Sequence, residues 1–487
     1  MRMIFASLAG LGLAVIVVFG AANPDRTKLV TISFQMAQPI LEAVGDDLPA
    51  GLQGLRGGKL QAAWPEWVVQ HDQQVRARLV RGEEDTLVNF LIFGTSFTAE
   101  PRLSAIELAH LAPVDGSVWP PAGSSPVATS FFHRVDDLLR GLADPGDNER
   151  LVFLAHLVEG EGYNPQKAFG AHGDPAERQR LKDYVLANAA RMVKEQEDYL
   201  KELEQARQLK DRTEDFAERS KLYRTRGISF DTSLLPNLAI EESLKALQKR
   251  GLLPPGSVHR AAVIGPGLDF TDKGAGYDFY PQQTSQGFAL VDTLLRLGLS
   301  RTDQLEVTTF DISQRVNDHL QNARRRAQQG KSYVLQLPRH GDVPWKSPTT
   351  LYWRHFGDQI GTPVTPIKVP ALAGNVETRA VKIRPAIVSL ITPVDLNIVT
   401  QHLDLPPQEG FDLIIATNIF VYYDLFDQML ALANTQAMLR PGGFLLCNNS
   451  LPLLSTSEMH AVDYLTVNYS DRPDDGDAIV WYQRETQ

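Results

Sequence analysis

Disulfide chemistry and nucleic-acid binding are the first possibilities that the sequence argues against. It has one cysteine, Cys447, in 487 residues, and one cysteine cannot form an internal disulfide. The apolar run at 444–446 before it indicates a small buried side chain rather than a reactive thiol. Positive charge is also in deficit, because 48 basic and 58 acidic residues give a formal net charge of -10. With no long-range attraction for phosphate backbones, we expect no nucleic-acid partner.

The first part of the chain carries no recognisable chemistry. Residues 28–164 contain no metal-ligand spacing, no nucleophile elbow and no phosphate loop. Apolar residues recur at intervals of three and four, as at 135–142, which predicts a mainly helical domain of unknown role at 27–175. The apolar segment 86–93 fits either a buried helix or a strand.

A separate apolar run lies near the beginning of the printed sequence. Residues 4–22 are uncharged, follow Arg2, and end on small residues suited to a signal peptidase. About 20 apolar residues also suffice to span a bilayer, so 1–22 is either a signal peptide or a membrane anchor. The sequence predicts a membrane-associated or exported protein and leaves the side of the membrane open.

Two further regions follow, as expected for about 100–200 residues per domain. Residues 176–235 are rich in charged helix formers and predict a long helix or connector. A solvated helix packed on the next domain and a coiled-coil dimerisation arm both fit its imperfect heptads. Residues 236–487 form the region in which we expect chemistry.

A glycine turn follows the first apolar strand of this region. The run 259–264 leads directly into Gly265, Pro266 and Gly267. A buried strand that ends in such a turn is typical of nucleotide-type cofactor sites, because a side chain would occupy the space of the ligand. We expect all three residues to contact a cofactor.

An acidic residue ends the second strand. Residues 305–310 read as a strand, and Asp311 and Ile312 follow it. A carboxylate at this position can accept hydrogen bonds from both ribose hydroxyls of an adenosine cofactor. Asp311 also fits a helix N-cap, and the two roles are compatible.

An insertion then interrupts the pattern. Residues 331–389 are rich in proline and contain an aromatic cluster at 352–356. We interpret the segment either as an insertion over the active site that helps to bind substrate, or as a structural hairpin with strands at 333–337 and 380–384.

Three stretches farther along carry a family resemblance. Residues 397–406, 411–424 and 439–446 closely resemble the third, fourth and fifth strand motifs of class I S-adenosylmethionine-dependent methyltransferases. They are most similar to the chemotaxis-receptor carboxyl methyltransferase type, in which a Phe-Asp-Leu-Ile strand leads to an asparagine followed four residues later by a tyrosine. Thr417 departs from that type, which has arginine there, and the first glycine loop lacks its acidic residues.

The resemblance implies a cofactor, a site and a fold. The cofactor is S-adenosylmethionine, with His402, Leu403 and Asp404 flanking its adenine and Asn418 closing over it. Asn418 and Tyr422 are expected to align an acceptor, which the sequence does not identify. The fold is α/β: a Rossmann-like seven-stranded sheet with a terminal antiparallel hairpin, preceded by a mainly helical N-terminal region.

The C-terminal residues support the same class. Two β-rich runs, 463–469 and 477–483, flank a hairpin loop. Class I methyltransferases finish their sheet with such a pair, whereas dinucleotide-binding dehydrogenases do not. We therefore expect a methyltransferase acting on a carboxylate or another nucleophile. The alternatives are a catalytically degenerate methyltransferase fold used as a membrane-associated binding or scaffold module, and a nicotinamide-dependent oxidoreductase.

Overall fold

The computed structural model describes residues 28–45, 48–113, 118–170, 173–208, 227–271, 277–472 and 475–486, with the backbone alone at 199–200 and 202–208. The apolar run at 4–22, interpreted from sequence as a signal or anchor, lies outside these residues. Within the described ranges, no helix combines the length and apolar character needed to cross a membrane.

The described N-terminal region is mainly helical, and most of its helices begin at a capping side chain. Ser33, Ser125 and Asn148 accept from backbone nitrogens of the first turn, and Ser104 forms a capping box with Glu107. The elements are β1 (Lys28–Thr31), α1 (Phe34–Val44), α2 (Gly57–Phe93), α3 (Ala105–Leu111), α4 (Pro126–Ala143), α5 (Glu149–Gly160), α6 (Pro165–Phe169) and α7 (Pro175–Gln208). Residues 86–93, ambiguous from sequence, are the last two turns of α2.

From Pro236 onward, strands and helices alternate in the manner of an α/β fold. The elements are α8 (Pro236–Lys249), β2 (Arg260–Ile264), α9 (Gln286–Arg296), β3 (Glu306–Asp311), α10 (Gln314–Gln328), β4 (Tyr333–His340), α11 (Ser347–His355), β5 (Gly361–Val364), β6 (Val376–Ile383), α12 (Pro385–Val388), β7 (Ile391–Asp395), β8 (Gln401–Asp404), β9 (Phe411–Ala416), α13 (Leu425–Met438), β10 (Leu439–Cys447), β11 (Met459–Asn468) and β12 (Gly476–Arg484).

Seven of these strands form the central sheet. Their order is β7-β3-β2-β9-β10-β12-β11. The first five are parallel, and β12 runs antiparallel to both β10 and β11. The expected Rossmann-like sheet with a terminal antiparallel hairpin and a preceding helical region is confirmed.

The third parallel strand lies earlier than the sequence indicated. We expected it within 397–406, but β7 covers Ile391–Asp395, and β8 pairs instead with β1 in a separate two-stranded sheet. Pro393 lies inside β7 and cannot donate a hydrogen bond to a neighbouring strand. Because a proline within a run argues against a strand, the sequence did not reveal β7. Proline is tolerated here because β7 is at the edge of the sheet.

Alternating side chains of the parallel strands divide the core into two layers. Ala261 and Val263 of β2 belong to the layer that includes α8, α9 and α10, whereas Ala262 and Ile264 belong to the layer that includes α1, α2 and α13. This alternation follows from the twofold period of a strand. The helical N-terminal region thus covers the sheet instead of standing apart from it. Cys447, at the end of β10, is fully buried, and burial raises the pKa of its thiol to about 12.

The insertion at 331–389 forms a small sheet of its own, with strand order β4-β6-β5 and all pairs antiparallel. It is tied to the rest of the chain by Gln283, whose side chain donates to the Gln336 carbonyl (2.7 Å) and accepts from the Gln336 nitrogen (2.8 Å). Lys346 nitrogen also bonds the carbonyl of Tyr469 (2.9 Å).

A buried arginine fixes the end of α2. Arg134 of α4 is fully buried and donates to the carbonyls of Leu91 (2.7 Å), Gly94 (2.5 Å), Glu100 (2.9 Å) and Pro101 (3.1 Å). Burial lowers its pKa to about 10. The guanidinium therefore satisfies carbonyls that the helix end and the following loop leave without partners.

We predict that Arg134→Ala lowers the free energy of unfolding by at least about 3 kcal/mol, because each buried carbonyl left without a partner costs about 1–3 kcal/mol. Arg140→Ala on the same helix is the control, since Arg140 is 65% exposed and, among the described residues, forms an ion pair only with Asp137. Its effect should stay within about 0.5 kcal/mol. Urea unfolding checks both variants, and equal midpoints would contradict the role given to Arg134.

Candidate functional site

A cavity of about 480 Å³ lies at the carboxyl ends of the parallel strands. Residues at the ends of β2, β3, β7 and β9 line it, namely Gly265, Gly267, Asp311, Leu396, Thr417 and Asn418. The strand order reverses between β2 and β9, and ligands of open α/β sheets bind in the crevice at such a switch point. Its volume lies within the usual range for small-molecule sites.

The glycine turn after β2 is shaped by protein neighbours. Gly265 and Gly267 have φ of +65° and +61°, which glycine adopts without strain. A Cβ on Gly265 would lie 2.0 Å from Cδ1 of Ile419, and one on Gly267 would lie 2.4 Å from the carbonyl oxygen of Phe230. From the sequence, we expect glycine at these positions because a ligand needs the space of a side chain. In the structure, other residues of the protein occupy that space.

Residues 228–233 cross the glycine turn and form one wall of the cavity. Leu268 nitrogen bonds Phe230 oxygen (2.8 Å), and Thr232 nitrogen bonds Leu268 oxygen (3.2 Å). Asp231 also accepts from the nitrogen of Phe270 (3.1 Å). These bonds hold the wall against β2.

Asp311 presents a buried carboxyl group to the cavity. The residue is 8% exposed, and its Oδ1 accepts from the nitrogen of Ser313 (2.8 Å). The backbone of Gly267 is a second donor, but burial dominates and raises the pKa of Asp311 to about 7. Within the described residues no basic side chain pairs with Asp311, whereas the neighbouring Asp395 pairs with Arg76 (2.8 Å). The carboxyl thus keeps capacity to accept hydrogen bonds from a ligand.

Helix α2 covers the open edge of the site. Leu79 lines the cavity directly. Arg78 donates to the carbonyl of Tyr422 (2.7 Å), and its own carbonyl accepts from Ile228 nitrogen (3.1 Å). One turn of α2 therefore joins the loop after β9 to the segment across the glycine turn.

The end of β9 adopts an uncommon backbone conformation. Asn418 has φ of +58° and is the one non-glycine residue with positive φ in the described part of the chain. Its nitrogen donates to Oδ1 of Asn448 (2.8 Å), and the Asn448 amide donates back to Asn418 Oδ1. Asparagine tolerates this conformation better than most residues, and such outliers cluster at functional sites.

Gln286 adds a buried acceptor at the beginning of α9. Its side-chain nitrogen donates to Thr417 Oγ1 (2.8 Å). Its Oε1 has no hydrogen-bond partner among the described residues, although Gln286 is only 6% exposed and lines the cavity. A buried carbonyl oxygen without a partner is costly, which suits a position that a ligand donor occupies.

The structure brings together six of the residues singled out from sequence. Gly265, Gly267, Asp311, Ile312, Asn418 and Tyr422 all line the cavity. Pro266 does not line it, and its carbonyl accepts from Thr284 Oγ1 (3.4 Å). His402, Leu403 and Asp404 also lie elsewhere, because β8 pairs with β1 and His402 Nδ1 contacts Asn434 Oδ1 (2.9 Å).

Sequence reasoning missed Leu396, Ile398, Gln286 and residues 228–233. Leu396 directly follows the end of β7, so the Asp395-Leu396 pair was the available signal once that strand was located. Residues 228–233 and Leu79 carry no motif, and only the packing of the N-terminal region brings them to the cavity.

Comparisons with known proteins give structural similarity only. No family model and no curated protein matches the sequence. Among solved structures, the chain is similar to TrmN from Thermus thermophilus, with 12% identity, 54% of this chain and 53% of that chain covered, and a TM-score of 0.24. The match therefore spans about half the length of TrmN.

Two further solved structures are similar at the same level. The rRNA methyltransferase aviRa from Streptomyces viridochromogenes shares 8% identity over 54% of this chain and 90% of its own, with a TM-score of 0.25. The glycopeptide N-methyltransferase MtfA, complexed with S-adenosylmethionine, shares 12% identity over 52% of this chain and 78% of its own, with a TM-score of 0.21. At these values, function has to be inferred from the site.

The raised pKa of Asp311 predicts a pH dependence of stability. The pKa of Asp311 is about 7 in the folded state, whereas its ordinary value is 3.8. At a pH between these two values, the folded state therefore holds a proton that the unfolded state has lost. Stability from this group is present below about pH 4 and is lost as the pH rises to about 7. Asp311→Asn, which stays neutral, should therefore raise the melting temperature more at pH 8 than at pH 4.5. A difference that does not depend on pH would contradict this.

Proposed function

We propose that the protein is an S-adenosylmethionine-dependent methyltransferase whose cofactor binds in the cavity at the carboxyl ends of β2, β3, β7 and β9. The observation that carries the proposal is the buried carboxyl of Asp311 beside the glycine turn, at the switch point of a sheet with the methyltransferase strand order. Neither feature alone is specific, but the two together favour an adenosyl cofactor.

Different lining residues fit the three parts of this cofactor, which are the ribose, the adenine and the methionine part. Asp311 supplies a carboxylate for the two ribose hydroxyls, because its partners are backbone donors and no cation neutralises it within the described residues. Leu396 and Ile398 supply apolar surface next to it for the adenine. Gln286 Oε1 is placed to accept from the ammonium group of the methionine part.

The other two candidate functions are less well supported. A nicotinamide-dependent oxidoreductase does not explain the antiparallel β11 and β12 that complete the sheet. A degenerate scaffold does not explain the unused acceptor capacity in the cavity, where within the described residues Asp311 has no basic partner and Gln286 Oε1 has no hydrogen-bond partner.

The chemistry asks little of the protein beyond alignment. When bound, the cofactor supplies a sulfonium-activated methyl group. A carboxylate acceptor needs no base, so holding the acceptor in line and excluding water can provide most of the acceleration. Asn418 and Tyr422 are the residues that we assign to this task. The bonds from Asn448 and Arg78 fix the backbone on which both stand.

The acceptor is proposed to be a carboxylate or another nucleophile of a small molecule or protein. The net charge of -10 argues against nucleic acid. The motif resemblance to chemotaxis-receptor carboxyl methyltransferases favours a carboxylate, although Thr417 replaces the arginine of that type. Membrane association or export through residues 4–22 stays a prediction.

The first test is cofactor affinity. Calorimetry at pH 8 should detect binding of S-adenosylhomocysteine and no binding of NAD. Asp311→Ala removes two hydrogen bonds to a charged acceptor, each worth about 1.5–3 kcal/mol, so affinity should fall at least about tenfold. Asp303→Ala, which removes an exposed carboxylate paired with Arg301, is the control and should keep full affinity. Equal affinity in the Asp311 variant, or measurable NAD binding, would exclude the assignment.

The second test concerns Asn418 and separates its side chain from its backbone. Asn418→Gly keeps the positive φ accessible, whereas Asn418→Ala strains it by about 1–2 kcal/mol. We expect both variants to bind S-adenosylhomocysteine about fivefold or more weakly. Both lose the bond from the Asn448 amide, and the alanine variant should lose more thermal stability than the glycine variant because only alanine is strained. If the glycine variant binds as tightly as the unchanged protein, the side chain has no role in holding the cofactor.

A further inference from the structure

A second cavity, of about 540 Å³, lies beside the first. We name it the insertion cavity, because 10 of its 21 lining residues belong to β4, α11 and the loop between them. The remaining lining comes from residues 232–235, from the loop after the glycine turn, and from Arg472 and Asp475 of the C-terminal hairpin loop. Bonds from Gln283 to Gln336 and from Lys346 to Tyr469 tie the insertion to the loop after the glycine turn and to the C-terminal hairpin.

The two cavities share a wall. Thr232 and Ser233 line both of them. At the beginning of α9, Ser285 lines the insertion cavity and the next residue, Gln286, lines the first one. The two cavities therefore adjoin at these residues, and a molecule in the insertion cavity lies next to the first cavity.

Aromatic side chains form much of the insertion cavity, namely Tyr277, Tyr280, Trp345, Tyr352 and Trp353. The indole nitrogens are already satisfied, because Trp345 donates to the His340 carbonyl (2.7 Å) and Trp353 donates to the Leu337 carbonyl (3.0 Å). These bonds fix the orientation of the rings, and rings held in this way favour stacking against a flat ligand.

The acidic side chains that line the insertion cavity accept hydrogen bonds from other side chains of the protein. Asp269 Oδ2 accepts from the Tyr280 hydroxyl (2.7 Å) and from Gln283 Nε2 (3.1 Å). Asp475 accepts from the hydroxyl of Ser470. One oxygen of each carboxylate is thus occupied by donors of the protein.

Two arginine side chains line the insertion cavity and have nitrogen atoms that can donate hydrogen bonds to a ligand. The Arg339 guanidinium lies 4.4 Å from the ring centre of Trp353 and pairs with Glu377, yet its Nε has no partner within the described residues. Arg472 is exposed, and its one described hydrogen bond uses its backbone nitrogen. The insertion cavity thus combines aromatic walls with donors for an anion.

We propose that the insertion cavity binds a flat aromatic carboxylic acid as the methyl acceptor, an inference that rests on the proposed function. Transfer to such an acid forms a bond between a carboxylate oxygen and the methyl carbon. It breaks the bond between that carbon and the sulfonium sulfur, which keeps the electron pair. The carboxylate has no proton to lose, so the step needs no general base.

The test uses 2-naphthoate as the probe and the full chain without cofactor. Two of the six tryptophans line the cavity, so saturable quenching of tryptophan fluorescence is expected. Two matched probes separate the contributions: 2-naphthylmethylamine reverses the charge, and cyclohexanecarboxylate removes the aromatic ring. Calorimetry should give each of them at least about tenfold weaker binding than 2-naphthoate.

Two charge-reversed variants localise the probe. Arg472→Glu should weaken 2-naphthoate binding at least about fivefold. Arg301→Glu, at an equally exposed arginine outside both cavities, should leave it unchanged. Saturating S-adenosylhomocysteine should not displace the probe, because the two molecules occupy different, adjoining cavities.

The outcomes distinguish this inference from the proposed function. If S-adenosylhomocysteine fails to bind, the proposed function is wrong. If it binds but 2-naphthoate does not, or if the amine binds as well as the acid, the inference is wrong while the proposed function stands. The inference also fails if Arg472→Glu has no effect or if S-adenosylhomocysteine competes with the probe.

Discussion

The absence of space around the turn after β2 is the constraint on which the rest of the site depends. Gly265 packs against Ile419 of the loop after β9, and Gly267 packs against the Phe230 carbonyl. The Gly265 nitrogen also bonds the Phe310 carbonyl of β3 (2.7 Å). A methyl group at Gly267 would overlap the Phe230 carbonyl and force these two segments apart, whereas one at Gly265 would displace the end of the Ile419 side chain. The cavity has its shape because these segments can approach the turn so closely.

Charge at the carboxyl edge of the sheet is distributed unevenly. Asp395 at the end of β7 pairs with Arg76, while Asp311 at the end of β3 is buried with backbone donors only. Desolvation therefore acts on Asp311 and leaves a carboxyl group that is costly when ionised. A ligand with two hydroxyl donors would relieve this cost. The same group thus lowers stability at neutral pH and, under the proposed function, provides affinity, as is common where binding sites are built.

The central sheet would be open at this edge without two additions. Helix α2 covers the first cavity through Leu79 and fixes the loop after β9 through Arg78. The insertion at 331–389 provides a second, aromatic cavity across a shared wall. Both additions are fixed by buried polar bonds, such as those of Arg134 at the end of α2 and of Gln283 with Gln336. Because these bonds span distant parts of the sequence, the cavities depend on the whole chain being folded.

The sequence alone determined the strands with strong local patterns. The apolar run before Gly265, the strand ending on Asp311 and the terminal hairpin were all predictable, because alternation, glycine turns and strand-end acids are local signals. Asp311, Asn418 and Tyr422 were placed at one site because the carboxyl ends of parallel strands meet at one edge. The third strand was misplaced, since Pro393 conceals β7 and the more regular 401–404 segment pairs with β1 instead.

Only the tertiary structure decided what closes the cavity. Leu79, Ile228 and Thr232 carry no motif, and they reach the site because α2 and the segment before α8 pack across the sheet edge. The importance of Gln286 also depends on the tertiary structure, because its side-chain oxygen is buried without a partner in the described structure. Local sequence encodes the strands and their tips, whereas burial, partner geometry and shared walls arise from contacts between residues that are distant in the sequence, from a few tens of positions to more than a hundred.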